Sequence, residues 1–141
     1  MKATRLLLLL LTAVLVDCSK SSDPAPPSLL GTWKETTRST TNCTDTGLNS
    51  PETACTDCTT VVLSATNNVN TWTATSPGGS PQAGTWSPGG PYTNTTGFIS
   101  FTSGSSTIGF TYTMDATTLT LVQDNGYPGA GCKINQKYKR Q

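Results

Sequence analysis

The sequence predicts an all-β fold, an eight-stranded antiparallel up-and-down barrel. Three observations lead there. Threonine, a β-branched residue suited to half-exposed strands, occurs 28 times in 141 residues. Past residue 28, apolar and Thr-rich runs of strand length alternate with turn residues. No segment in that region sustains a helical period. Eight runs is also the number at which a meander closes into a barrel that holds side chains or one small ligand. Closure removes the exposed edges that a Thr-rich sheet would otherwise present.

The first run is Leu30 to Thr37 and carries Gly31-Thr32-Trp33. A long polar loop, residues 38–58, follows and holds three cysteines. The second run, Thr59 to Ala65, ends at Asn67-Asn68, a pair that tolerates the left-handed backbone of a tight hairpin. The third, Val69 to Thr75, and the fourth, Gln82 to Trp86, each end in Ser-Pro-Gly-Gly. Gly97 to Thr102 is the fifth, closed by Ser103-Gly104-Ser105. The sixth, Thr107 to Met114, is the clearest, because Ile108, Phe110, Tyr112 and Met114 alternate with Gly109, Thr111 and Thr113. Asp115-Ala116 turns the chain into the seventh, Thr117 to Gln123. A Gly-rich loop at 124–131 leads to the eighth, Cys132 to Tyr138.

The N-terminus reads differently. Lys2 and Arg5 precede an eleven-residue apolar run, Leu6 to Val16, which is followed by Asp17, Cys18 and a polar, Pro-rich stretch. A bilayer span needs about 20 apolar residues, so this run fits the h-region of an export signal. Leu15 and Val16 before Cys18 resemble the lipobox of bacterial lipoproteins, with Asp17 where that signal holds a small residue. The resemblance implies a signal peptide over 1–17 and a lipid on Cys18. A disordered tether would then cover 18–28 and a single barrel domain 29–141. It also implies attachment to the outer membrane of the cell envelope.

Removing 1–17 takes away Lys2, Arg5 and Asp17, so the remaining formal charges balance. A neutral domain gives no electrostatic case for nucleic acid. Lys133, Lys137, Lys139 and Arg140 read as the solvated end of the last strand. Only 34% of the chain is hydrophobic, so the core is modest and covalent staples matter. Cys43, Cys55, Cys58 and Cys132 are even in number once Cys18 is set aside, which predicts two disulfides with the pairing open. Cys55 and Cys58 have the C-x-x-C spacing of redox and zinc sites, but a strand follows them where a thioredoxin-like motif needs a helix.

Leu30-Gly31-Thr32-Trp33-Lys34 looks like the Gly-x-Trp signature on the first strand of lipocalins. Gly84-Thr85-Trp86, Phe110-Thr111-Tyr112, Thr118-Leu119-Thr120-Leu121 and the ending Gln136-Lys137-Tyr138-Lys139-Arg140 are similar to the second half of such domains. The chain thus resembles the lipocalin-like lipoproteins of bacteria. The resemblance implies that Trp33 packs across the barrel's closed end, with Gly31 and Trp33 as structural signature residues. It also implies that the barrel binds a small ligand.

No histidine is present, which removes Ser-His-Asp and Cys-His nucleophilic systems and the commonest metal ligand. Glu35, Asp45, Glu52, Asp57, Asp115 and Asp124 fall mostly in expected turns and loops, where acids are solvated. No catalytic residue, metal site or cofactor is predicted. Binding is the expected role, of a small apolar or amphipathic molecule, with Trp72, Phe110, Tyr112 and Met114 as candidate lining residues. The alternative is an envelope protein-contact module, for example a lysozyme-inhibitor-like barrel. It would have a filled core and would touch its partner through the loops at 38–58 and 124–131.

Overall fold

The computed structural model describes residues 26–124 and 131–141. The expected signal peptide, the lipid-bearing Cys18, most of the tether and most of the loop at 124–131 lie outside these residues. The described chain is all-β. Its strands are β1 Gly31–Thr41, β2 Ser50–Ala54, β3 Thr60–Thr66, β4 Val69–Thr75, β5 Gln82–Pro88, β6 Thr96–Ser103, β7 Ser106–Met114, β8 Thr118–Asp124 and β9 Lys133–Arg140. One sheet runs β2-β1-β3-β4-β5-β6-β7-β8-β9, and β1 also pairs with β9, which closes an eight-stranded antiparallel barrel.

The extra strand, β2, comes out of the segment expected to be a loop. A 3-10 turn at Thr46–Leu48, capped by the Asp45 carboxylate on the Gly47 N–H, turns the chain back toward β1. β1 runs four residues beyond its expected end, to Thr41, because two neighbours share one of its edges. Its first half pairs with β3, Gly31 opposite Leu63 to Lys34 opposite Thr60. Its second half pairs with β2, Thr37 opposite Ala54. Between the halves the register with β9 slips at Thr36, a bulge that bends the strand. The backbone freed there is satisfied across the gap: Glu35 N–H donates to Thr59 O and Cys55 N–H to Thr36 O, each at 2.9 Å.

One end of the barrel is sealed. Trp33, Leu29, Leu63, Trp86, Ile99, Leu119 and Leu121 belong to one buried cluster. Burying such side chains stabilises the fold by about 1.5–3 kcal/mol each. The Trp33 indole donates to Leu29 O at 2.9 Å, and the Arg140 guanidinium stacks over its ring, 4.3 Å from the centroid. Arg140 also donates to the carbonyls of Ser28, Leu30 and Ala116. The entering chain, the last strand and the β7–β8 turn are therefore clasped by one side chain. Gly31 sits at φ 137°, and a Cβ there would meet the Arg140 Nη1 at 2.7 Å. The backbone φ favours glycine here, and its missing Cβ lets the guanidinium lie close.

At the opposite end Cys43 and Cys132 form a disulfide, just past the last β1–β9 pair, Thr41 opposite Lys133. It links residues 89 apart in sequence and restricts the unfolded chain, an effect worth about 2–4 kcal/mol. The second expected bridge is absent: Cys55 and Cys58 are thiols. Their turn directs the Cys58 Sγ at the Cys55 carbonyl oxygen. Its hydrogen bond to Cys58, with burial, pushes the Cys55 thiol up to about 11. No described helix is long and apolar enough to cross a membrane.

Candidate functional site

The end that carries the disulfide is open. The side chains of β3 to β7 and β9 that line this end do not fill it, and they leave a cup of about 680 Å³. That is within the range of small-molecule sites. One wall is apolar and aromatic: Val61, Trp72, Ala74, Phe101, Ile108 and Phe110. The rings interlock edge to face, Trp72 to Phe101 at 5.6 Å and 80° and Phe101 to Phe110 at 5.6 Å and 77°, the arrangement that ring quadrupoles favour. Trp72 is held in place by a hydrogen bond from its indole to Thr102 O at 3.3 Å. It reaches that oxygen only because residue 84, opposite it on β5, is glycine. A Cβ on Gly84 would lie 1.9 Å from Thr102 O and 2.8 Å from the Trp72 indole nitrogen.

The other wall is polar and comes from β9. Gln136 and Tyr138 line the cup. Behind them, on β1, lies Glu35, only 2% exposed. Its carboxylate accepts from Arg38 Nε at 2.8 Å and Nη2 at 3.1 Å, and from Gln136 Nε2 at 3.3 Å. This pairing raises the Arg38 pKa above its usual value, the hydrogen bond to Glu35 contributing most. Arg38 and Glu35 border a second hollow, on the side of the Cys55–Asp57 turn. Tyr138 is 4% exposed, and burial, with Glu35 nearby, pushes its phenol far above the usual range. Among the described residues no group of three His, Cys, Asp or Glu side chains could hold a metal ion.

The four lining candidates separate by depth. Trp72 and Phe110 face the cup. Tyr112 and Met114 share the inward face of β7 but lie further down, buried in the closed core. Met114 borders a shallow groove at the β7–β8 turn instead. Alternation puts Ile108, Phe110, Tyr112 and Met114 of β7 inside, and only the position of the seal decides which of them meet the cavity. Glu35, an acid that the sequence places on the first strand rather than in a turn, is buried. The signal was present in its spacing: two residues after Trp33 on a strand of period two, it shares the inward face. Gln136 stands in the same relation to Tyr138.

No protein-family model matches the chain, and neither a curated protein nor a solved structure matches it.

Proposed function

We propose that this chain is a lipid-anchored, lipocalin-like protein of the outer membrane that binds a small apolar or amphipathic ligand in its cup. The observation that carries the reading is the asymmetry of one barrel. A clasped core fills one end, while three interlocked rings and a polar wall, continuous with that core through Trp72 and Tyr138, surround a cavity at the other. The chain enters at the sealed end, where Leu29 is fully buried.

Titration with N-phenyl-1-naphthylamine, a neutral dye that brightens in apolar surroundings, tests the ligand role. Saturable binding in about the micromolar range is expected, weakened at least about tenfold by Trp72→Ala. A signal that rises linearly without saturating removes the role. Anchorage is tested by growing bacteria that express the chain with an alkyne-tagged fatty acid. The label is expected on the native chain and absent from Cys18→Ser, and label retained on that variant removes the anchor.

The protein-contact alternative draws on β2, whose five residues are all exposed and which pairs with β1 alone among the described strands. The hollow upper interior favours the ligand reading over it.

A further inference from the structure

The cup's lining has a property that its volume does not reveal. Among the described residues, no charged side chain faces it. The buried charge nearest to it, Glu35, is already committed to the half-exposed Arg38 through two hydrogen bonds. Arg38 borders the hollow beyond, not the cup. A ligand anion seated here would be desolvated without a counter-charge, a costly arrangement.

The β9 wall offers one acceptor of fixed orientation, and Thr59, Gln82, Ser103 and Ser106 add neutral polar groups elsewhere in the lining. Glu35 is a fixed acceptor, so it determines how the Gln136 amide is turned: the nitrogen donates to the carboxylate and the carbonyl oxygen is left over. That oxygen has no protein donor among the described residues, and neither does the Tyr138 hydroxyl, although Tyr138 is almost wholly buried. No buried polar side-chain atom is left both sealed and unpaired, so these two atoms stay accessible, and both residues line the cup. A hydroxyl or amide N–H entering between them would donate to Gln136 and exchange a hydrogen bond with Tyr138. A carboxylate would set its oxygens against the Gln136 carbonyl, with the Glu35 carboxylate behind it.

We infer that the cup selects ligands whose polar end is an uncharged hydrogen-bond donor, an alcohol above all, and discriminates against carboxylates with the same apolar body. Gln136, oriented by Glu35, is the specificity-determining residue. This rests on the cup being a ligand site, and it adds the chemical class of the ligand.

The test compares 1-pyrenebutanol with 1-pyrenebutyrate on the full chain, read by energy transfer from tryptophan to pyrene. The butanol is expected to bind at least about tenfold more tightly. Gln136→Leu, which keeps the apolar body's contacts, is expected to bring the two affinities to within about threefold. Tyr138→Phe is expected to weaken the alcohol more than the acid. Equal affinities on the native chain, tighter binding of the butyrate, or an unchanged ratio in Gln136→Leu would each overturn the selectivity while leaving the cup as a binding site. Failure of both probes to bind overturns the cup reading itself. The native-chain ratio decides the matter even if the leucine variant does not fold.

Discussion

The two ends of this barrel are built from the same strands and use their inward side chains for opposite purposes. At the sealed end, Trp33 and Leu29 are fully buried within one cluster, and Arg140 stacks over the Trp33 ring. At the open end, Trp72, Phe101 and Phe110 touch each other along one wall and face Gln136 and Tyr138 across a cavity. The sealed end supplies stability, and the open end keeps apolar surface and hydrogen-bonding groups unpaired. A domain of low apolar content holds such a cup open because the opposite core is tight and a disulfide ties the rim.

This division makes the two tryptophans unequal. Trp33→Ala removes the partner of the Arg140 guanidinium and leaves a void that cannot collapse. A loss of about 3–5 kcal/mol in denaturant unfolding is expected. Trp72→Ala opens onto a cavity that already exists, so its loss should be smaller, about 1–3 kcal/mol, while dye binding suffers most. If the Trp72 variant is the less stable of the two, the assignment of stability to one end and binding to the other fails.

A smaller effect is expected in alkali. Burial raises the phenol pKa of Tyr138, and that of Tyr112, and the Cys55 thiol is raised as well. A group whose proton is held more tightly in the folded chain stabilises the fold fully below its unfolded pKa. That contribution fades as pH rises through the interval up to the folded value. For the tyrosines the decline begins near about pH 10. Tyr138→Phe should flatten part of the fall in urea midpoint between about pH 9 and 11, leaving the share of Tyr112 and Cys55. An unchanged slope would show that Tyr138 exchanges freely with solvent through the cup, and would move the boundary between the two ends downward.

Much of the fold was legible because period-two alternation and turn chemistry are local. Asn67 and Asn68 do adopt positive φ, 52° and 63°, and the β7 alternation does separate inside from outside. The segment 38–58 reads as loop in the sequence because β2, Ser-Pro-Glu-Thr-Ala, is wholly exposed and has no apolar face to alternate. It is a strand only because the bulge at Thr36 leaves the upper half of β1 without β3 as a neighbour. The candidate site was half legible. Aromatic residues on inward faces could be named, but Tyr112 and Met114 went to the core, and Glu35, Arg38, Gln136 and Tyr138 were not read as a wall.

By itself, the sequence determined the strand rhythm, the inward faces, and the evenness of the cysteines past Cys18. These depend on interactions between residues close in the chain, or on residue chemistry alone. Only the tertiary structure decided that Cys43 pairs with Cys132 while Cys55 and Cys58 remain thiols. It also decided that Glu35 is buried beneath Gln136 and that the cavity ends above Tyr112. Each of these depends on how strands about a hundred residues apart, β1 and β9 above all, are staggered around a closed barrel. That stagger comes from closure and from one bulge, not from any local pattern of residues.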